Sequence, residues 1–147
     1  MQKPFMAKFG MRSLGLVAMV IALPAYADEA MTVVQDLVSK WQNSWYSGDA
    51  KGIADLYVPD AIFSSGILGT LKGRAEIEKA VADQIKKSPK ITITPIAAYK
   101  NGNVIYAYWD FMFPEGPSGH GGAVDINDGR TWHIAMHISN VSPPKKQ

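Results

Sequence analysis

The chain has 147 residues, 15 Lys or Arg against 13 Asp or Glu, and no cysteine. Disulfides, thiolate metal sites and cysteine nucleophiles are thereby excluded. Three of the basic residues, Lys3, Lys8 and Arg12, fall within 1–27; the remainder is close to neutral, so the basic pI of 8.8 argues for no nucleic-acid partner.

The basic start is followed by the apolar run Ser13 to Leu23 and then by Pro24-Ala25-Tyr26-Ala27, an A-x-A pattern. This order is that of an export signal, so residues 1–27 are expected to be removed near Ala27, leaving a periplasmic or secreted protein. The run is too short to span a bilayer, and no membrane anchor is expected after cleavage. Residues 28–142 are then expected to form one domain, with 143–147 a polar tail. With no disulfide available, the 4 Trp, 6 Tyr and 5 Phe are the expected means of holding a core.

The first mature element is helical. Val34, Leu37, Val38, Trp41 and Trp45 step by three and four onto one face. Thr32 is the expected cap at its start, and Ser47-Gly48-Asp49 its stop. Asp49 then caps a short helix over Ala50 to Tyr57. Val58-Pro59-Asp60 breaks that helix, Ala61 to Phe63 is a short strand, and Ser64 to Gly73 reads as a loop. Arg74 to Lys87 is helical through Ile77, Val81 and Ile85.

After Ser88-Pro89 the period changes to two. Lys90 to Ala98 is a strand in which Pro95 signals an edge or a bulge. Asn101-Gly102 marks a hairpin, and Val104 to Phe113 is a long strand. Glu115 to Gly122 (EGPSGHGG) reads as a flexible loop. Ala123 to Ile126 begins another strand, Asp128-Gly129 turns it, and Thr131 to Val141 is the last. Helices first and antiparallel strands after give an α+β domain, a curved sheet wrapped around three helices.

Several phrases in this order resemble the nuclear transport factor 2-like superfamily, in its SnoaL-like and ketosteroid-isomerase-like branch. They are Gly48-Asp49, Asp55-Leu56-Tyr57, Pro59-Asp60-Ala61-Ile62-Phe63, Gly73-Arg74 with Ile77, and Asp128-Gly129-Arg130-Thr131-Trp132-His133-Ile134 through Met136 to Asn140. The resemblance covers about Val33 to Val141. It implies a cone-shaped domain with a mixed, mainly antiparallel sheet, a pocket between sheet and helices, and frequent dimerisation through the sheet. It implies no single function, because members include isomerases, cyclases, dehydratases and non-catalytic binding or assembly modules.

Isomerase chemistry next to a carbonyl wants a carboxylate base and donors for the developing oxyanion. On that pattern Trp41 falls at the tyrosine donor, Ser65 at the carboxylate base, and Asp125 near the second, acidic donor. A serine hydroxyl is a poor base without an activating partner. Asp110 shares a strand face with Tyr106, Tyr108 and Met112, opposite the wholly apolar face of Ile105, Ala107, Trp109, Phe111 and Phe113. Were the tyrosine face to line the pocket, Asp110 would be an acid or base; the apolar face is the expected inner one. In the last strand, Trp132, Ile134, Met136 and Ile138 are assigned inward, which leaves His137 for a pocket rim or a dimer interface. His133 and His137 lie about 13 Å apart on a strand at about 3.3 Å per residue, so no metal site is expected. No cofactor is implied.

Three readings follow. In the first, the domain binds a small apolar or aromatic molecule, with Trp41, Trp45, Tyr57, Phe63, Trp132 and Met136 passing from core to pocket lining; each also fits plain core. The second is an isomerase, cyclase or dehydratase with Asp110, Asp125 or His137 as acid or base. The third is a non-catalytic homodimerisation module.

Overall fold

The structure, a computed structural model, describes residues 23–143, with side chains from residue 29 onward. The expected signal segment lies outside the described residues up to position 22, as does the tail from position 144. Among the described residues no helix is long and apolar enough to cross a membrane.

Helix α1 (Leu23–Ser47) carries one buried stripe, Ala30, Val34, Leu37, Trp41 and Trp45. Thr32 sits inside this helix instead of capping it, because the helix begins nine residues earlier than the apolar spacing indicates. Pro24 falls in the first turn, where a missing N–H removes no helical bond. Gly48, at φ +75°, closes α1, and its amide donates to the Trp45 carbonyl at 3.2 Å. Asp49 caps α2 (Ala50–Asp55), its carboxylate accepting from the Gly52 amide at 2.8 Å.

Tyr57 does not end that helix. It opens strand β1 (Tyr57–Ser65), which runs through Pro59 because its pairing is interrupted between Tyr57 and Ile62. Part of the expected loop is strand β2 (Gly69–Lys72), an antiparallel hairpin partner of β1. Helix α3 (Gly73–Lys87) buries Ile77 and Val81 and packs on α2 and β1.

The remaining strands, β3 (Thr92–Asn101), β4 (Val104–Met112), β5 (Ser118–Asn127) and β6 (Trp132–Val141), form an antiparallel meander. The six-stranded order is β2-β1-β6-β5-β4-β3, with β1 and β6 parallel. The expected α+β architecture is therefore present, with α1 lying against β3 in the curve of the sheet. Pro95 is both on an edge strand and at a register shift. In the β3–β4 turn, Gly102 takes φ +60° at the first central position, the place for glycine in a II′ turn.

Two corrections bear on the site. The glycine-rich segment is strand from Ser118 onward, not loop. Gly119 and Gly121 face Phe111 and Trp109 across the ladder. A Cβ on Gly121 would fall within the Trp109 indole, and one on Gly119 would lie 2.8 Å from Phe111 Cζ. The glycines therefore let two large rings lie against strand backbone. The second correction concerns β6. Asp125 pairs with Ile134 but Val124 with Met136, so Ala135 is an extra residue in a bulge. Ile134 faces inward as expected. Past the bulge the parity inverts: His137 turns inward, while Met136 (38% exposed) and Ile138 (45%) face outward.

Candidate functional site

The inner surface of the sheet and the buried stripe of α1 enclose an aromatic interior. Trp41 and Trp45, one turn apart, stack with centroids 4.9 Å apart. Trp41 Nε1 donates to the Tyr57 hydroxyl at 3.2 Å, and that hydroxyl lies 2.7 Å from His137 Nδ1. Phe63, paired with His137 across the parallel ladder, stacks on the imidazole at 4.0 Å. Trp109 meets the same ring edge-on at 5.1 Å.

Two small cavities remain. One, of about 50 Å³, is bordered by Trp45, Phe63, Ile91, Phe111 and Phe113. The other, of about 20 Å³, lies beneath α1 against Val34, Leu37, Val38, Asp125 and Ile134. Trp41, Ile93, Trp109 and His137 border both. A single water needs about 10–15 Å³ by this measure, so the smaller void holds one water and the larger a few. Admitting a larger guest requires side chains at the larger void to move.

Within this apolar surround sit two ionisable groups. Asp125 is 2% exposed, and its Oδ1 has no hydrogen-bond partner among the described residues. Burial pushes its carboxyl up to about 7, because the charged form loses water and gains no compensating contact. His137 is 6% exposed, and burial pulls it down to about 3, so it is neutral at physiological pH. Burial also raises the Tyr57 phenol, which stays protonated. A carboxyl that titrates near 7 can give or take a proton at working pH.

The other expected site residues lie as follows. Tyr57 is wholly buried and reaches the site through its hydroxyl. Trp132 lies at the far end of the sheet, 5.9 Å from Lys100 Nζ, beside an open groove. Neither Trp132 nor Met136 borders the two interior voids. Asp110 stands on the outer face, half-exposed, 2.7 Å from His120 Nδ1. Ser65 borders the larger void, but its hydroxyl accepts from the Ile67 and Leu68 amides at 3.1 and 3.3 Å, which closes a turn. No carboxylate stands at that position.

Sequence reasoning missed the Trp41–Tyr57–His137 chain, since the bulge at Ala135 carries no sequence mark. It also left Trp109, Phe111 and Phe113 out of the lining, although their alternation along β4 and the residue after it already set them on the inner face. Among the described residues no three His, Asp or Glu side chains are grouped to hold a metal ion.

The model of the SnoaL-like domain matches residues 38–135. The chain belongs to the SnoaL-like family. Solved structures share the fold of this SnoaL-like domain. A domain of unknown function with a cystatin-like fold from Nostoc punctiforme aligns with TM-score 0.68 at 14% identity, over 80% of each chain. An NTF2-like protein with a cystatin-like fold from Novosphingobium aromaticivorans aligns with TM-score 0.62 at 14% identity, over 80% of this chain and 84% of that one. A ketosteroid isomerase-like protein from Erwinia carotovora atroseptica aligns with TM-score 0.63 at 8% identity, over 80% and 99%. Identities this low speak for the fold alone. No curated protein matches the chain.

Proposed function

We propose that this SnoaL-like domain is an exported binder of a small apolar or aromatic molecule, held in the aromatic interior with its polar end against Asp125 and His137. One observation carries the reading. Asp125 Oδ1 lacks any partner among the described residues, although everything around it is chosen for burial. An unsatisfied buried polar atom costs about 1–3 kcal/mol, which a guest or water supplying the missing hydrogen bond recovers. The aromatic walls supply apolar contact for the rest of the guest. Native mass spectrometry of protein purified from its own host, compared with a Trp41→Ala variant, tests this. Retention of a small organic molecule by the folded wild type but not by the folded variant is expected. Absence of any such species, with no aromatic compound binding in titration, sinks the reading.

An acid–base enzyme of the isomerase, cyclase or dehydratase type is the second reading, and the raised Asp125 carboxyl favours it. Under it, Asp125→Asn abolishes turnover while binding persists. A homodimer through the sheet is favoured by the outer face, where Tyr106, Tyr108, Met136 and Ile138 are all exposed. Export is tested separately, by fractionating cells for a product shortened near Ala27.

A further inference from the structure

We infer that Trp41 and Tyr57 are positioning residues that fix His137 as a hydrogen-bond donor, through Nε2–H, to an acceptor oxygen on the bound molecule, such as a carbonyl or ether. The inference rests on the reading of the interior as a small-molecule site. Only one sense of the hydrogen-bond chain gives the Tyr57 phenol proton an acceptor. An indole N–H donates and never accepts, so the Trp41 contact at 3.2 Å occupies a lone pair of the Tyr57 oxygen. The phenol proton is then directed to His137 Nδ1 at 2.7 Å. A nitrogen that accepts this proton carries none of its own in the neutral ring, so the ring proton sits on Nε2.

The surroundings hold the ring neutral and still. The titratable groups facing it are Tyr57 from β1 and Asp125 from β5; α1 presents Trp41, which does not titrate. Phe63 lies flat on the imidazole and Trp109 stands against it edge-on, so the direction of Nε2–H is set by packing. The Tyr57 contact engages Nδ1 and leaves Nε2 on the other side of the ring, and His137 borders both voids. A donor in that place favours a guest with an acceptor oxygen and disfavours one presenting an ammonium.

Two measurements test this. In the uniformly ¹⁵N-labelled full chain, long-range ¹H–¹⁵N correlations between pH 6 and 8 should show His137 Nδ1 as the bare nitrogen and Nε2 as the protonated one. An Nδ1–H tautomer, or an imidazolium, overturns the inference. In Tyr57→Phe the lock is gone, and a mixture of tautomers is expected; Trp41→Phe, which keeps the phenol, carries the comparison if that variant does not fold. The second measurement titrates acetophenone and ethylbenzene, which have similar size and differ by one oxygen, against tryptophan fluorescence. Acetophenone should bind about tenfold more tightly to the wild type, a difference of about 1.4 kcal/mol, and the preference should vanish in Tyr57→Phe. Equal binding of the two overturns the inference and leaves the small-molecule site standing. Failure of both to bind counts against the small-molecule site itself, and the tautomer then decides the positioning claim alone.

Discussion

Asp125 and His137 make opposite demands on stability as pH changes, and Asp125→Asn separates them. In the unfolded chain the carboxyl titrates near 3.8, and in the fold near 7. Between those values the folded state holds a proton that the unfolded state has lost, so stability falls as pH rises, by about 1.4 kcal/mol per pH unit. Over the whole interval the loss approaches about 4 kcal/mol. His137 works the other way. It titrates near 6.5 unfolded and near 3 folded, so stability falls as pH drops from 6.5, with the same slope. From about pH 4 to 6.5 the two slopes cancel, and these groups leave the wild type nearly flat. Above 6.5 only the Asp125 penalty still grows, up to about 7. In Asp125→Asn, a neutral replacement of the same shape, the histidine slope is uncovered. Urea denaturation of both proteins at pH 4, 5.5, 7 and 8 measures the difference, in which all other titrating groups cancel. The variant should match the wild type at pH 4 and exceed it by up to about 4 kcal/mol at pH 8. Parallel profiles that stay within about 0.5 kcal/mol across this range would refute the claim that Asp125 is an unpaired, desolvated carboxyl.

Gly121→Ala drives a methyl group into the Trp109 indole and should cost about 1–3 kcal/mol, read as a lower urea midpoint with altered near-ultraviolet dichroism. Met136→Lys adds charge to the outer face; if two copies meet there, sedimentation should shift from dimer to monomer while the melting of the fold changes little. Trp41→Ala removes an indole bordering both voids and should cost about 3–5 kcal/mol, read as a lower urea midpoint.

The helices and the meander were readable because their signals are local. Val34, Leu37, Trp41 and Trp45 declare a face by spacing alone, and the alternation from Ile105 to Phe111 declares the inner side of β4. The carboxylate cap at Asp49 and the turn glycines at 48, 102 and 129 declare the ends. What failed was whatever depends on a distant partner. Gly119 and Gly121 look like loop residues because their reason for being small is an aromatic ring on another strand. Pro59 looks like a stop, although the interrupted pairing of β1 with β6 gives it a place within a strand. Thr32 looks like a cap because the apolar spacing begins beside it, while the helix starts well before it.

The bulge at Ala135 joins the failure of the reading to the making of the site. A regular β6 would present either Trp132, Ile134, Met136 and Ile138 to the interior, or His133, Ala135, His137 and Ser139. The first choice would expel His137; the second would expel Ile134 and set a second histidine in the core. With one extra residue both Ile134 and His137 point inward, at 6% exposure each, and Met136 and Ile138 move to the outer face. His137 is thereby paired with Phe63 on one side and Ala123 on the other, one inner-face row away from Asp125. Ala123 is small, and it borders the void that Asp125 and His137 share. The irregularity that breaks the sequence pattern therefore brings the two buried ionisable groups to one space, and it leaves Met136 and Ile138 exposed on the opposite side. Removing Ala135 should restore a regular ladder in which Ile134 and His137, then two positions apart, both stay inward. The sharpest sign would be a His137 still neutral at pH 5 in that deletion variant, and one that titrates near 6.5 would show that the strand's parity does not set its burial.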